Sequence, residues 1–263
     1  MNDGIYKKII KNIILNGYTI SSLVKNGTHQ KYIFLHSHMR ARSTLTSWIL
    51  ASSKEVSGGE EYHLRYRKKS DLDQLRWIVI RSELKWKPPA RLILDNINHS
   101  IDKVEDSLFN SYNIFHIFLV RNPFDTISSC IAKFSNKSST NCLVNYYKER
   151  VKTLKILGDK AHRSPNGMLY VESDDLINKT GETLDSISKY LQLKYPLSEN
   201  YMLRSSNPKS PPKNKQEDFL GQGKIIKKKR EYSFNLSEEL LIPCWKVYQN
   251  THSYLINLNQ RQG

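Results

Sequence analysis

Cysteine is scarce in this sequence, and long apolar runs are missing from it. The three cysteines, Cys130, Cys142 and Cys244, show neither the spacing of a metal site nor that of a redox pair. This content predicts a reducing compartment and no disulfide framework. The longest stretch with few charges near the start, residues 9–23, is interrupted by Lys11 and by polar residues, so it is too short for a spanning helix and lacks the shape of a signal peptide. We therefore expect a cytoplasmic protein without a membrane anchor.

Acidic residues are also few. The chain has 41 Lys and Arg residues against 25 Asp and Glu residues, which gives a formal net charge of +16. An excess of this size predicts an anionic partner. Two basic clusters, 65–69 and 227–230, leave three interpretations open: a solvated face, contact with an anionic membrane or acceptor, and nucleic acid binding.

The first 30 residues have a hydrophobic pattern of their own. Four isoleucines recur there at helical spacing, Ile5, Ile9, Ile10 and Ile13. The pattern predicts an amphipathic helix that docks on the rest of the protein, with a membrane-surface helix as the alternative. We divide the chain into an N-terminal extension, 1–30, and a single domain, 31–263.

From residue 31 onward, apolar strands alternate with amphipathic helices. This alternation predicts an α/β fold with one parallel sheet and helices on both of its faces. The predicted strands are 32–36, 91–95, 114–120 and 168–171. The predicted helices are 43–53, 71–82, 102–110, 125–134, 139–157, 180–191 and 237–258. A segment rich in proline, glycine and polar residues, about 205–230, is predicted to be a mobile loop.

The first strand leads into a turn that is typical of phosphate binding. A helix is predicted to begin near Ser43, and the amide groups at a helix start point at an anion. Arg40 and the hydroxyls of Ser43 and Thr44 would add hydrogen bonds to phosphate or sulfate oxygens. No lysine precedes Ser43, whereas the loops that bind ATP and GTP have one there. A magnesium-dependent NTPase is therefore disfavoured.

A second polar motif follows the strand at 114–120. Arg121 leaves this strand, Pro123 prevents the strand from continuing, and Ser129 lies eight residues after the arginine. A helix that begins near Asp125 would place Ser129 on its first exposed turn, where its hydroxyl and Arg121 can bind one phosphate group. Ligands of parallel sheets bind at the carboxyl ends of the strands, so both motifs are predicted to belong to one nucleotide site.

The two motifs resemble those of sulfotransferases that use 3′-phosphoadenosine 5′-phosphosulfate (PAPS), and most closely those of the protein-tyrosine and bacterial branch. The family loop reads Pro-Arg-Ser-Gly-Thr-Thr-Leu, and the chain reads Met-Arg-Ala-Arg-Ser-Thr-Leu from Met39 to Leu45. Arg42 stands at the glycine position, where a positive φ would strain it; it is also a candidate for an additional anion contact. The later family pattern, Arg-x-Pro-x-x-x-x-x-Ser, is matched from Arg121 to Ser129.

The resemblance implies a sulfotransferase fold of the P-loop nucleotide-kinase type, PAPS as co-substrate and no metal. In the family, the first loop binds the 5′-phosphosulfate, the second motif binds the 3′-phosphate, and basic residues of a later loop close over the cofactor. Residues 169–176 resemble a further family stretch, Tyr-Glu-Asp-Leu. The residues implied in donor binding are Arg40, Ala41, Arg42, Ser43, Thr44, Leu45, Arg121, Ser129, Lys224 and Lys227.

The catalytic residues are also assigned by resemblance. The tyrosine-sulfotransferase branch has a Gly-Glu-Glu sequence after the loop, and this implies Glu61 as the general base, with Glu60 beside it. Other branches use a histidine, so His99, after a predicted strand, is the alternative base and His63 a second one. Arg40 completes the catalytic set.

The resemblance leaves the acceptor open. We favour a hydroxyl or an amine on a glycan, a glycolipid or a small molecule, with a peptide tyrosine as a further alternative. The rivals are a basic nucleic-acid-binding protein on a P-loop-like fold, which the basic clusters favour but which does not explain the paired motifs, and a nucleotide-dependent kinase, which the missing loop lysine disfavours. Neighbouring His36 and His38 lack a third ligand nearby, so we predict a loop role for them rather than a metal site.

Overall fold

The computed structural model describes residues 30–83, 90–99, 104–111, 113–203, 220–227, 232 and 236–261. Five strands lie among them: β1 Lys31–Ser37, β2 Val56–Gly58, β3 Leu92–Ile97, β4 Ile114–Val120 and β5 Met168–Glu172. They form one parallel sheet in the order β2-β3-β1-β4-β5. The predicted α/β fold with a parallel sheet is confirmed, and four of these strands lie where the sequence predicted them.

Eight α-helices lie within the described ranges. They are α1 Ser43–Ser52, α2 Lys69–Glu83, α3 Asp106–Phe109, α4 Pro123–Phe134, α5 Thr140–His162, α6 Asp175–Asn178, α7 Thr180–Tyr190 and α8 Glu238–Gln260. A 3-10 turn covers Leu220–Gln222. None of the described helices is long and apolar enough to cross a membrane.

The helices cover both faces of the sheet. Ile33 and Leu35 of β1 pack in one cluster with α1 and α7, which lie on the first face. Phe34, between them, packs against α2 and α3 on the second face, where α4, α5 and α8 also lie. Both faces of the central strands are buried, and this explains why β1 and β4 read as continuous apolar runs instead of alternating patterns.

The predicted helix at 102–110 is wrong in part. Only Asp106–Phe109 is helical among its described residues. Val104 instead forms a parallel bridge with Tyr66, and the amide of Glu105 donates to the Tyr66 carbonyl at 2.8 Å. The chain is therefore extended before the helix. Strand β2 was not predicted, because a strand of three residues that ends in glycine is too short to show an alternating hydrophobic pattern.

Two further predictions concern residues that the structure leaves undescribed. The N-terminal helix at 1–30 lies outside the described residues except for Gln30. Of the loop at 205–230, residues 220–227 are described, and they pair with the segment 199–201, where the amide of Tyr201 donates to the Gly223 carbonyl at 2.8 Å.

Two histidines lie in the core between β1 and β4. His36 Nε2 and His116 Nδ1 are 3.0 Å apart, and both residues are fully buried. Their rings continue a stack with Phe109 on one side and Phe118 on the other. His36 is thus a core residue and not the loop residue that the sequence predicted. Burial lowers the pKa of His116 to about 3 and the pKa of His36 well below its usual value.

We expect this pair to make the protein sensitive to mild acid. A histidine whose pKa is lower in the folded state binds its proton first in the unfolded chain. The free energy of unfolding should therefore be level above about pH 7 and fall below about pH 6.5 by up to about 1.4 kcal/mol per pH unit for each such histidine. Urea denaturation at pH 7.5, 6.5 and 5.5 measures this. The double variant H36F/H116F should show a shallower fall, and equal slopes in the two proteins would contradict the assignment.

Candidate functional site

A cavity of about 430 Å³ opens at the carboxyl ends of β1, β3 and β4, where the two sequence motifs meet. Its polar lining residues are Arg40, Arg42, Ser43, Thr44, Glu61, Asn98, His99, Arg121, Ser129 and Lys133. Its other lining residues are Met39, Leu45, Phe134, Ile177, Tyr201, Leu220, Ile225, Ile226 and Tyr232. The volume lies in the range of small-molecule sites.

The loop after β1 has an unusual backbone. Arg40 and Arg42 both have positive φ angles, 64° and 63°. The left-handed region is uncommon for residues with a β-carbon. The first hydrogen bond of α1 runs from the Thr46 amide to the Arg42 carbonyl at 3.0 Å. The amides before Thr46 therefore lie at the open start of the helix, where they favour an anion.

The two motifs contact each other directly. Arg40 Nε donates to the Ser129 hydroxyl at 2.8 Å. A guanidinium nitrogen of Arg121 donates to the Arg40 carbonyl at 3.3 Å. Ser129 belongs to the second turn of α4 and is 3% exposed, so the predicted exposed first-turn position is wrong, although the residue does line the cavity. Pro123 at the start of α4 explains the difference, because the helix begins two residues before the predicted start.

His38 lies beneath both motifs and joins them. Its Nε2 accepts from the Arg121 amide at 3.0 Å, so Nδ1 carries the proton and donates to the Met39 carbonyl at 2.9 Å. The ring is fully buried, and burial lowers the pKa of His38 to about 4. A neutral imidazole thus sets the distance between the two arginine-bearing segments, and this agrees with a loop role for His38.

Cations dominate the cavity. Arg40, Arg42, Arg121 and Lys133 are among its described lining residues, against the carboxylate of Glu61. The Arg121 side chain is 8% exposed and is held by Asp125 Oδ2 at 3.5 Å and Asp174 Oδ1 at 3.7 Å. Such a concentration of charge in a concave, partly buried site is suited to an anionic ligand.

Glu61 lies at another wall of the cavity in a network of hydrogen bonds. The Asn98 amide donates to Glu61 Oε1, and Asn98 Oδ1 accepts from the Ser37 hydroxyl at the end of β1. The Tyr146 hydroxyl donates to the Asn98 carbonyl at 3.1 Å. His99 Nε2 lies 3.7 Å from Glu61 Oε2. The network orients the Glu61 carboxylate and brings both base candidates to one place.

Most of the residues predicted to bind the donor line this cavity, and three do not. Of the candidate bases, Glu61 and His99 line it, whereas His63 and the neighbouring Glu60 do not. Ala41 is fully buried, and its carbonyl accepts from the Ser173 hydroxyl at 2.7 Å. Lys224 is an exposed side chain that pairs with Glu199 at 3.1 Å. Lys227 is exposed. Neither lysine lines the cavity, whereas their neighbours Ile225 and Ile226 do.

Sequence reasoning missed three polar residues at the site. Lys133 lines the cavity one helical turn after Ser129, and this i+4 spacing could have indicated it. Asn98 precedes His99 directly, but nothing in the sequence marks its contact with Glu61. Asp174 pairs with Arg42 across 132 residues of chain, a separation that leaves no local signal.

Metal ligands are a separate question. Within the described part of the chain, no group of three or more His, Cys, Asp or Glu residues is arranged to hold a metal ion.

Comparisons with known proteins place this site in a known fold. A scan against family models gave no match, and a search of the curated proteins gave none either. Among solved structures, the chain is similar to a sulfotransferase domain from the curacin biosynthetic pathway, with a TM-score of 0.52 and 15% identity over 85% of this chain and 98% of that one. It is also similar to a sulfotransferase domain from the Synechococcus PCC 7002 olefin synthase, with a TM-score of 0.52 and 17% identity over 86% of this chain and 96% of that one. The protein therefore has the sulfotransferase fold, as its two motifs indicated.

Proposed function

We propose that the protein is a sulfotransferase that uses PAPS as the sulfuryl donor. One observation carries the proposal: the hydrogen bond from Arg40 to Ser129 joins two anion-binding motifs in a cavity that also holds the carboxylate of Glu61. A donor with phosphate groups at both ends of one nucleoside needs two such motifs at a fixed distance, and a transfer reaction needs a base beside them.

The donor contacts follow from the chemistry of each end. The start of α1, with Arg40, Ser43 and Thr44, would hold the 5′-phosphosulfate. Arg121 and Ser129 would hold the 3′-phosphate. The apolar lining residues, among them Leu45, offer the surface that an adenine ring requires.

The reaction is an in-line displacement at sulfur. The acceptor oxygen or nitrogen forms a bond to sulfur, while the bond from sulfur to the 5′-phosphate oxygen breaks. The products are the sulfated acceptor and 3′-phosphoadenosine 5′-phosphate (PAP). Arg40 and the helix amides would stabilise the charge that develops on the leaving phosphate, as they do in phosphoryl transfer.

Glu61 would take the proton of the acceptor. Its carboxylate is oriented by Asn98 and has no arginine or lysine partner among the described residues. His99, at 3.7 Å, is the alternative base, because either group can reach the same part of the cavity. We assign the role to Glu61 because Asn98 orients this carboxylate and is itself held by the Ser37 hydroxyl at the end of β1.

The acceptor is proposed to be a glycan, a glycolipid or a small molecule with a hydroxyl or amine group. Four exposed cations follow Glu61 in the chain, Arg65, Arg67, Lys68 and Lys69. None of them has an ion pair with another described residue. An acceptor with negative charges, including one at an anionic membrane surface, would be attracted to these cations. A cytoplasmic location stays a prediction from the cysteine content.

The experiment that tests this function is a transfer assay. The purified protein is incubated with ³⁵S-labelled PAPS and a panel of phenols, sugars, amines and glycolipids in the presence of EDTA. We expect label on at least one acceptor, together with release of PAP. Magnesium-dependent turnover of ATP without any sulfuryl transfer would favour a kinase, and salt-sensitive retention of RNA alone would favour a nucleic-acid-binding protein.

A further inference from the structure

Arg42 has a backbone conformation that glycine adopts far more readily than other residues. It is the N-cap of α1 and has φ 63° and ψ 21°, in the left-handed region. An arginine gains nothing from this conformation by itself, since its β-carbon makes the region unfavourable. Contacts of the Arg42 side chain must therefore compensate for the energetic cost of this backbone conformation.

The side chain of Arg42 is held at one edge by the turn after β5. Its Nη1 donates to Asp174 Oδ1, and it lies 3.3 Å from the Ser173 carbonyl and 3.4 Å from the Ser173 hydroxyl. The Ser173 hydroxyl in turn donates to the Ala41 carbonyl at 2.7 Å. The loop and the turn are thus fastened together through both side chain and backbone.

Asp174 is itself fixed from other directions. Its Oδ2 accepts from Asn122 Nδ2 at 2.7 Å, and its Oδ1 lies 3.7 Å from Arg121 Nε. Burial alone would raise the pKa of Asp174, but the charges of Arg42 and Arg121 and the hydrogen bonds hold it below its usual value. The carboxylate therefore stays charged between two arginines that would otherwise repel each other.

The rest of the Arg42 guanidinium is free to meet a ligand in the cavity. Arg42 lines it, its side chain is 21% exposed, and Nε and Nη2 have no hydrogen-bond partner among the described residues. A guanidinium held at one edge by a carboxylate keeps its remaining N–H groups in a fixed direction, which suits an incoming phosphate or sulfate.

We propose that Asp174 is a positioning residue that holds Arg42 as a third arginine of the donor site. The contact with Asp174 compensates for the unfavourable backbone conformation of an arginine at the position where the family loop has glycine. The proposal rests on the proposed function, because the anion concerned is the donor. It assigns Asp174 to support of the loop, and it excludes the opposite role, in which Asp174 occupies the anion site and competes with the donor.

The test is a double-mutant cycle on PAP binding. PAP is titrated into the wild-type protein, D174A, R42G and R42G/D174A by calorimetry. We expect D174A to weaken binding about tenfold, because Arg42 loses its anchor and its repulsion from Arg121 is no longer offset. R42G should weaken binding by a similar factor. The double variant should bind within about twofold of R42G, because the contact that Asp174 keeps with Arg121 is long, at 3.7 Å, and Asp125 also pairs with Arg121.

Control variants separate this role from a general structural one. D175A removes the neighbouring carboxylate, which pairs with Lys179 at the surface at 3.4 Å, and should bind PAP like the wild type. D174N keeps the shape and should also weaken binding, so it replaces D174A if that variant fails to fold. The Asp174 side chain makes no capping hydrogen bond to α6, so its replacement should not disturb the start of this helix. Thermal unfolding of the variants should confirm that each of them is folded.

Each other outcome has a distinct meaning. PAP binding by D174A as tight as or tighter than that of the wild type would overturn the inference and leave the proposed function intact. A double variant that is weaker than R42G by the full D174A factor would also overturn it. Absence of PAP binding in the wild type would overturn the proposed function, and the inference with it.

Discussion

Glu61→Gln is expected to lower kcat for sulfuryl transfer about 10²- to 10⁴-fold, the usual contribution of a positioned general base. The amide of glutamine has nearly the shape of the carboxylate, but it cannot accept the acceptor proton. Since the donor motifs lie on other elements, PAP affinity should stay within about twofold of the wild type. The measurement is the rate of label transfer from PAPS at saturating acceptor, with PAP titration beside it.

The neighbouring residues provide the controls for this prediction. Glu60→Gln changes the adjacent carboxylate, which is not among the residues that line the cavity, and should leave kcat within a few-fold of the wild type. His99→Asn tests the alternative base. A loss of several hundred-fold in H99N together with a near-normal rate in E61Q would contradict the assignment and move the base to His99.

Arg121→Ala is expected to weaken PAP binding at least about 100-fold, because it removes a charge-assisted contact from a mostly buried site. The loss should exceed that of Ser129→Ala, which removes a neutral hydroxyl and should cost about tenfold. The variant also leaves the carboxylates of Asp125 and Asp174 without this cation, so its melting temperature should fall as well. Calorimetric titration and thermal unfolding, with and without PAP, measure the two effects.

Arg91→Ala is the matched control for this prediction. Arg91 precedes β3 at the opposite end of the sheet, where it pairs with Glu55 at 3.0 Å and donates to the Gln192 carbonyl at 2.8 Å. Its loss should lower stability without changing PAP affinity. If R91A and R121A weaken PAP binding to the same degree, the effect is one of general stability and Arg121 is not a donor contact.

The frame of the site could be predicted from sequence because its signals are local. Strand β4 was predicted at its observed bounds, since six apolar residues and one histidine precede an arginine and a proline. The start of α1 was predicted from the polar turn before Ser43. Position 42 aligns with the glycine of the family loop, for which a positive φ was one alternative, and the backbone has a positive φ there. All three features belong to short, continuous stretches of the chain.

The support of the site could not be predicted because it depends on distant residues. Asn98 contacts Glu61 from the position directly after β3, and Asp174 contacts Arg42 from the turn after β5. Neither contact can be predicted until the order of the strands in the sheet is known, because the two residues of each pair are far apart in the sequence. The same reason explains Lys224: its sequence position suggested a loop that closes over the cofactor, but an antiparallel bridge with Asn200 places it beside Glu199.

The most direct test of the account compares the binding of PAP with that of adenosine 5′-monophosphate to the wild-type protein, by calorimetry in EDTA. The two nucleotides differ in the 3′-phosphate alone, which Arg121 and Ser129 are proposed to bind. The account predicts micromolar binding of PAP and at least about 100-fold weaker binding of the monophosphate. Equal affinities, or binding of ATP with magnesium in place of PAP, would contradict it and leave a sulfotransferase fold with a different chemistry.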